Sequence, residues 1–499
     1  MILVQPLAWW ERRWFAAVMA ALAAVPLLWP ALPPLGDLPG HMGRWHIAMA
    51  LPESADLRRY YDYHWGLVGN LGLDLIVPAL ARVLPFEQAS KVAVIAIPVL
   101  TVAGLLAVAR EVHGRVPPTA LLAIPFAYAW PFQFGFVNFA LAQALALCAL
   151  AAWIRLGRDG RMRGPVFAMV ACGLWVAHSF GWGLFGLMAA GAEVARLRGE
   201  GRRWWPALWR TGMACVPLAA PVVLMALGGG GPSGHRIADD WFDWSAKALW
   251  GASMLRDRWM AFDVLSLAVP AVALYWAARR GWFAPMLGFP ALLCLAAFVV
   301  LPRLLMGGAY VDMRIAPAAV MLALIAIRPV EGDARAIALM ALAFVGVRIA
   351  GTTVSFAGRS IEQQRELAAV AAIPRGSAVL SLVARPCGGA WSDPRRDELP
   401  SMAIVRRDAF TNSQWALEGQ QLLRVRYTQA APYLGDPTQQ VLPAECAILG
   451  SNFAQAIARF PRGAFTHVWT IGFAPGAAKA RDLRVVWTNG GSTLYAVSR

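Results

Sequence analysis

The polar segment from Asp37 to Asn70 carries the side chains best suited to chemistry. It follows the first apolar run and contains three histidines, several arginines, paired tyrosines and two tryptophans. His41 and Arg44 follow Asp37 by four and seven residues, so a helix starting here places all three on one face. A carboxylate there could act as a general base or metal ligand, and an arginine beside it could hold a phosphate. We predict Asp37 and His41 as catalytic residues and Arg44 as a phosphate ligand.

Asp37 has a simpler explanation, as the cap of a helix that Pro39 helps to begin. Capping accounts for neither the histidine nor the arginine that follow, so the functional interpretation is favoured. His41, His46 and His64 match no metal-ligand spacing, and metal ligation is therefore the less favoured role for them. The sequence predicts no definite cofactor and leaves a divalent metal open.

A second group of polar residues lies in PRLLMGGAYVDMR, before a late apolar run. Arg303, Tyr310 and Arg314 together suit the phosphate of a lipid headgroup. In the alternative interpretation, Arg314 pairs with Asp312, or Arg303 and Arg314 both extend their charged ends to the membrane interface. We favour phosphate binding slightly.

The run from Gly66 to Leu84 is apolar, but a polar residue recurs in it every four positions. Asn70, Asp74 and Arg82 fall on one helical stripe, and an ionised group at the bilayer centre costs roughly 2.5 to 3.5 kcal/mol. We therefore expect a juxtamembrane or re-entrant helix instead of a membrane span, with Asn70 and Asp74 facing a cavity or acceptor.

Two aromatic segments add candidates for the same cavity. His178, in WVAHSFGWG, lies at the outer end of a predicted helical hairpin, where a polar turn residue is the simpler interpretation. Trp241, with Trp244 and Trp250, suits a helix lying in the membrane interface. A plain aromatic belt explains these tryptophans equally well.

The composition defines the class of protein that carries these residues. The chain has 499 residues, 59% of them hydrophobic, and a mean hydropathy of +0.52, which indicates a polytopic membrane protein. The net charge of +16 is scattered as short arginine clusters between apolar runs, which is typical of cytoplasmic loops and not of nucleic-acid binding. If all of these arginine clusters lie on the cytoplasmic side, the chain has about eleven spans, with the N-terminus in the cytoplasm and the C-terminus outside. Besides the first apolar run, the predicted spans are 90–109, 117–132, 137–156, 165–178, 180–197, 206–227, 262–279, 282–301, 315–330 and 335–354.

The composition changes at Ser355, where turns and short apolar runs begin. We predict a mostly α-helical bundle over residues 1–354, with juxtamembrane helices in the outer loop 33–89, and an extracytoplasmic α/β domain over 355–499. Strands are expected at 376–384, 444–450, 467–473 and 483–498, the last with an Asn-Gly-Gly hairpin turn, and helices at 361–372 and 452–460. Outside the cytoplasm, Cys387 and Cys446 could form a disulfide.

The layout resembles the GT-C superfamily of membrane glycosyltransferases, which use polyprenyl-phosphate sugars. The resemblance rests on GDLPGH, which places Asp37 at the acidic position of the first outer loop, on GNLGLDLIVPAL as a juxtamembrane helix and on GGAYVDMRIAP as the late outer loop. Within that superfamily the sequence looks similar to bacterial membrane proteins with DLPxH loops. It departs from the pattern in one respect, since Asp37 has no acidic neighbour in the loop.

The resemblance implies an enzyme that moves a sugar from a polyprenyl-phosphate donor to an acceptor on the outer face of the bacterial inner membrane, with inversion. Its expected partners are the lipid-linked donor and membrane lipids, and no nucleic acid. Two alternatives remain: a transporter or flippase for lipid-linked intermediates, and a non-catalytic assembly partner for envelope glycans.

Overall fold

The computed structural model describes residues 7–157, 162–227, 238–306, 308–329, 332–389, 391–416, 421–446 and 452–498. The chain is mostly helical and divides into two compact units. The first unit consists of Met1–Trp29, Leu67–Leu75 and Val92–Ser355, and the second of Pro30–Gly66, Ile76–Lys91 and Phe356–Arg499. Most of the first outer loop therefore belongs to the same unit as the C-terminal residues.

The described residues form α-helices along most of the chain. They are α1 Arg13–Leu22, α2 Val25–Leu28, α3 Leu38–Ala50, α4 Ala55–Tyr60, α5 Gly72–Leu80, α6 Phe86–His113, α7 Trp130–Phe134, α8 Val137–Leu156, α9 Arg163–Ala177, α10 Ser179–Gly199, α11 Trp204–Cys215, α12 Pro221–Leu227, α13 Trp244–Ala252, α14 Met260–Ser266, α15 Ala268–Arg280, α16 Pro285–Val300, α17 Val311–Ala326, α18 Ala334–Leu367, α19 Ser401–Arg407 and α20 Phe453–Arg459.

The apolar helices lie mostly in the first unit. Among the described residues, four helical runs are long and apolar enough to cross a membrane: Phe86–His113, Val137–Leu156, Met260–Arg280 and Ala334–Ala372. The chain therefore has the helices of a membrane protein, while its number of spans, expected to be about eleven, stays a prediction. The expected span 137–156 coincides with α8.

Proline explains where predicted spans differ from the helices that form. The expected span 117–132 is a 3₁₀ run, Pro118–Tyr128, followed by the short α7. Pro125 lies inside that run and has no backbone N–H to donate to an α-helical hydrogen bond. The expected span 206–227 is likewise broken, since α11 ends at Cys215 and α12 begins at Pro221.

The run from Gly66 to Leu84, expected to be a juxtamembrane or re-entrant helix, forms only a short regular helix. Its regular part, α5, has nine residues, and at 1.5 Å per residue it is about 14 Å long, roughly half the hydrocarbon thickness of a bilayer. Asp74 is buried in its first turn, whereas Arg82 lies beyond its end and is exposed. The expected polar stripe is therefore shorter than the spacing indicated.

The second unit is built around a mixed sheet. The strands among the described residues, in both units, are β1 Tyr61–Tyr63, β2 Ala238–Asp239, β3 Leu304–Leu305, β4 Gly308–Ala309, β5 Ala378–Ala384, β6 Phe410–Thr411, β7 Leu423–Val425, β8 Gln440–Val441, β9 His467–Ile471, β10 Leu483–Thr488 and β11 Ser492–Val497. In the main sheet the order is β10-β11-β9-β5-β6, with β8 also paired to β5. β5 runs parallel to β6, β8 and β9, and β11 runs antiparallel to β9 and β10.

Residues of the first outer loop complete the core of this unit. Leu57, Tyr60 and Tyr61 are buried in one cluster with sheet residues such as Leu380 and Phe410. β1 also pairs antiparallel with β7. Each such side chain contributes about 1.5 to 3 kcal/mol when removed from water. This core, together with the β1–β7 pair, fixes the loop that carries the catalytic candidates.

The local predictions for the tail are largely confirmed. β5, β9 and α20 lie where strands and a helix were expected, and the last expected strand is the hairpin β10–β11. Asn489 Oδ1 accepts hydrogen bonds from the backbone of Gly491 and Ser492, which closes the turn. Cys387 and Cys446 form a disulfide. The expected helix 361–372 is the end of α18 and the 3₁₀ turn Ala368–Ala372, and most of the expected strand 444–450 lies outside the described residues.

Candidate active site

Asp37 lies immediately before α3, as the spacing predicted. It occupies the N-cap position, with Pro39 in the first turn, yet its side chain makes no capping hydrogen bond. Its backbone carbonyl accepts the hydrogen bond from the His41 amide at 3.1 Å. The helix therefore begins without using the Asp37 carboxylate as its cap, and the carboxylate is half-buried.

His41 and Arg44 form one contact on the next turn of α3. Arg44 is 2% exposed, and its Nη2 lies 3.1 Å from His41 Nδ1, while Nη1 donates to Gln421 Oε1 at 2.6 Å. A guanidinium can only donate, so His41 Nδ1 accepts and the neutral ring carries its proton on Nε2. The imidazole ring is also held between Trp45 and Trp415, at 5.8 and 5.2 Å between ring centroids. His41 is thus a fixed, oriented group.

A buried acid from the tail, Glu398, lies close to the start of α3. It is 2% exposed, its Oε1 accepts from Gln439 Nε2 at 3.0 Å, and Oε2 has no hydrogen-bond partner among the described residues. Burial, and then the negative charges of Asp436, Asp37 and Asp397, raises the pKa of Glu398 well above its usual range. The environment favours the protonated, neutral acid.

Gly40 permits this close approach of the tail to α3. A Cβ at position 40 would lie 2.5 Å from the Trp415 ring and 2.9 Å from Glu398 Oε2, and no real Cβ is tolerated at such distances. Gln414 Nε2 in addition donates to the Gly40 carbonyl at 3.2 Å. We call Asp37, His41, Arg44 and Glu398 the Asp37 cluster.

The remaining loop histidines make ion pairs and hydrogen bonds elsewhere in the second unit. His46 Nε2 lies 2.8 Å from Asp408 Oδ1, and His64 Nε2 lies 2.8 Å from Asp62 Oδ2. Burial opposes ionisation of Asp408, but hydrogen bonds from His46, Arg375 and Ser54 outweigh it and hold the pKa of Asp408 below its usual value. Within the described ranges, no three His, Cys, Asp or Glu side chains are placed to hold one metal ion.

Arg314, in the first unit, contacts His178 and an aromatic ring. Its Nη1 lies 3.1 Å from His178 Nε2, its Nη2 donates to the Ala309 carbonyl at 3.0 Å, and the guanidinium lies 3.8 Å from the centre of the Phe136 ring. His178 Nδ1 also accepts from the Phe180 amide, at the N-terminus of α10. A neutral imidazole accepts at only one ring nitrogen, so these two N–H donors compete for one lone pair.

Arg303 and Tyr310 lie on the connection that precedes α17, the helix that contains Arg314. The Arg303 guanidinium is 5.0 Å from the centre of the Tyr310 ring, and Tyr310 is the residue directly before α17, with a positive φ of 58°. Asp312, which was one expected partner for Arg314, instead pairs with the buried Lys247 at 3.1 Å. We call Arg303, Tyr310, Arg314 and His178 the Arg314 cluster.

The other predicted cavity residues separate into two places. Asn70 and Asp74 both bond Asn138, whose Nδ2 lies 3.0 Å from Asn70 Oδ1 and 2.9 Å from Asp74 Oδ2. Asn138 Oδ1 accepts from the Leu73 amide. These hydrogen bonds link the start of α5 to α8. Trp241 is half exposed and lies against Phe242.

The sequence reasoning missed several of these residues. Glu398 had a usable signal, because Asp397-Glu398-Leu399-Pro400 directly precedes α19 and repeats the acid-Leu-Pro order found before α3. No sequence signal indicated Gln421 or Asn138, since a single amide in a polar or apolar run has no distinctive spacing.

The chain shares its fold with a solved structure along almost its whole length, which agrees with the fold that the sequence resemblance implied. The chain is similar to the crystal structure of ArnT from Cupriavidus metallidurans bound to undecaprenyl phosphate, with a TM-score of 0.52 over 97% of this chain and 97% of that one. The identity is 13%, and a likeness at that level establishes the fold alone. No protein-family model and no curated protein matches the sequence.

Proposed function

We propose that the protein is a membrane glycosyltransferase that moves a sugar from a polyprenyl-phosphate donor to an acceptor on the outer face of the membrane, with inversion. One observation carries the proposal: the chain shares its fold along 97% of its length with ArnT, whose crystal structure contains undecaprenyl phosphate. The Asp37 cluster supports it, because a carboxylate and a fixed imidazole are the groups that activation of an acceptor hydroxyl requires.

In this proposal Asp37 takes the proton from the acceptor hydroxyl, and His41 orients it. The hydroxyl oxygen then bonds to the anomeric carbon as the bond from that carbon to the phosphate oxygen breaks. Negative charge develops on the leaving lipid phosphate, and Arg44, Arg303 and Arg314 are the candidates that stabilise it, with Tyr310 as a hydrogen-bond donor. Glu398, when protonated, adds no second negative charge beside Asp37.

The proposed orientation has the N-terminus in the cytoplasm of a bacterium and the C-terminal domain in the periplasm. The disulfide between Cys387 and Cys446 supports it, since such bonds persist outside the reducing cytoplasm. The arginine clusters on the predicted inner loops agree with the same orientation.

The test uses purified, reconstituted protein with a polyprenyl-phosphate sugar. Asp37→Asn should reduce transfer by about 10³-fold or more while the protein still folds, because loss of a general base removes much of the rate. Asp62→Asn, which changes an exposed aspartate paired with His64, is the matched control and should retain activity. An active Asp37→Asn variant would remove Asp37 from the mechanism.

The same assay separates the alternatives. A transporter or flippase gives no covalent product and moves the lipid-linked sugar across the bilayer. An assembly partner gives neither product nor transport and tolerates substitution at Asp37. The bonds of Asp74 to Asn138 favour a structural role for that aspartate over a role in a transport path.

A further inference from the structure

A cavity of about 330 Å³ in the second unit has no role in the proposed reaction. A water molecule takes roughly 30 Å³ of liquid volume, so this space has room for a group much larger than a few waters. Its apolar wall includes Leu32, Leu367 and Val370, and its polar wall includes Gln363 and Arg407.

Gln363 is the unusual member of that lining. The residue is 2% exposed, and neither its Oε1 nor its Nε2 has a hydrogen-bond partner among the described residues. An amide buried without partners costs about 1 to 3 kcal/mol. A group in the cavity that accepts one hydrogen bond from this amide and donates another would remove that cost once the side chain turns toward it, since neither amide atom is reached by solvent in this structure.

The neighbouring cations indicate the charge of a group that would suit this cavity. Arg406 and Arg407 both line the cavity. Arg406 also pairs with Glu87 through two contacts of 2.8 and 2.9 Å, and Arg407 donates to the carbonyls of Val370 and Ala371. Two guanidiniums held in place around one cavity suit a phosphate.

The chain positions indicate that this phosphate belongs to a lipid. Gln363 lies near the end of the helical run Ala334–Ala372, which is long and apolar enough to span a membrane. Leu32 follows the end of α2 by four residues, where the first apolar run leaves the bilayer in the predicted topology. The cavity thus combines apolar and cationic walls at the ends of two apolar segments.

We propose that this cavity binds the headgroup of an anionic bilayer phospholipid, with Gln363 bonding the glycerol-phosphate region and the two arginines facing the phosphate. This site is separate from the sugar donor's chemistry and does not require the proposed transferase activity.

The experiment compares the full-length protein, stripped of lipid in detergent, before and after addition of phosphatidylglycerol. Phosphatidylglycerol should raise the thermal midpoint of the wild type by several degrees and remain bound in native mass spectrometry. Gln363→Leu removes the unpaired amide, so without lipid this variant should be at least as stable as the wild type, and with lipid it should gain little. Gln429→Leu, at an exposed glutamine, is the control and should gain as much as the wild type.

Gln363→Glu keeps the size of the side chain and should also lose the lipid, because its carboxylate repels the phosphate. Equal lipid gains in the wild type and in both Gln363 variants would overturn the proposal. Inorganic phosphate that reproduces the whole gain, or polyprenyl phosphate that displaces phosphatidylglycerol, would also overturn it, because the site would then be one for free phosphate or for the donor.

Discussion

The Asp37 cluster and the Arg314 cluster are both polar groups set in apolar surroundings, but they have opposite electrostatic character. In the first, a buried Glu398 lies among other carboxyl groups, and only Arg44 supplies a buried positive charge to the set. In the second, a guanidinium lies on the Phe136 ring and bonds a carbonyl oxygen and an imidazole.

The difference shows what each cluster can do. Crowded carboxyl groups have their pKa values pushed apart, which suits proton transfer. A guanidinium that contacts a ring, an imidazole and a carbonyl oxygen carries a positive charge of the kind that binds an anion. Sugar transfer from a lipid phosphate needs both functions, and each cluster can be tested without changing the other.

The largest effect is expected from Gly40→Ala, which acts on the Asp37 cluster alone. The added Cβ would meet the Trp415 ring at 2.5 Å and Glu398 Oε2 at 2.9 Å. Overpacking of this kind costs about 3 kcal/mol, so the thermal midpoint should fall and transfer should be nearly lost. Binding of a polyprenyl phosphate at the Arg314 cluster should persist in the protein that remains folded.

Gly463→Ala is the matched control, since a Cβ there meets nothing within 4 Å. Its thermal midpoint should equal that of the wild type. If Gly40→Ala is as stable and active as this control, then the tail does not approach α3 as closely as the Asp37 cluster requires.

A smaller effect is expected from Arg314→Lys, which acts on the other cluster. Lysine keeps the charge but loses the planar stack on Phe136 and the paired N–H donors. Loss of one hydrogen bond to a charged group costs about 1.5 to 3 kcal/mol, so the affinity for polyprenyl phosphate should fall by roughly tenfold to hundredfold. Equilibrium binding of a labelled polyprenyl phosphate measures this affinity.

Arg280→Lys removes a similar stacking contact, on Trp282, outside both clusters. This control should leave the affinity unchanged. An Arg314→Lys variant with wild-type affinity would show that position 314 needs only a positive charge extended toward the interface, which was the alternative interpretation of the sequence.

The sequence could predict the parts of these clusters that depend on local spacing. Asp37, His41 and Arg44 were placed on one helix face because an α-helix repeats every 3.6 residues. The hairpin at Asn489 followed in the same way from its turn residues. In both cases the interacting groups are within a few residues of each other.

The sequence could not predict the partners that come from elsewhere in the chain. Gln421 bonds Arg44 across 377 residues, and Gln414 bonds the Gly40 carbonyl across 374. Nothing in a single glutamine indicates such a distant contact. Glu398 is a similar case. The first loop has no acidic residue next to Asp37, and Glu398 supplies one from the tail.

The smallest effect, and the one most specific to the Asp37 cluster, is expected from Glu398→Gln. The pKa of Glu398 is raised in the folded protein, mainly by burial, so the folded state keeps its proton at pH values where the unfolded chain has lost it. Stability therefore falls as pH rises above about 4.3, the ordinary value for glutamate, and this loss continues up to the folded-state pKa. Glutamine has no proton to lose, so the variant should become more stable than the wild type on the alkaline side.

Thermal midpoints measured from pH 5 to pH 9 test this, with the exposed Glu53→Gln as the control. The difference between Glu398→Gln and the wild type should grow with pH, whereas Glu53→Gln should run parallel to the wild type. Asp408 offers a contrast in the same unit, because hydrogen bonds from His46, Arg375 and Ser54 lower its pKa and its ionised form is the stabilising one. Asp408→Asn should therefore destabilise the protein at neutral pH. If the two variants changed stability in the same direction, the neutral acid proposed beside Asp37 would have no support.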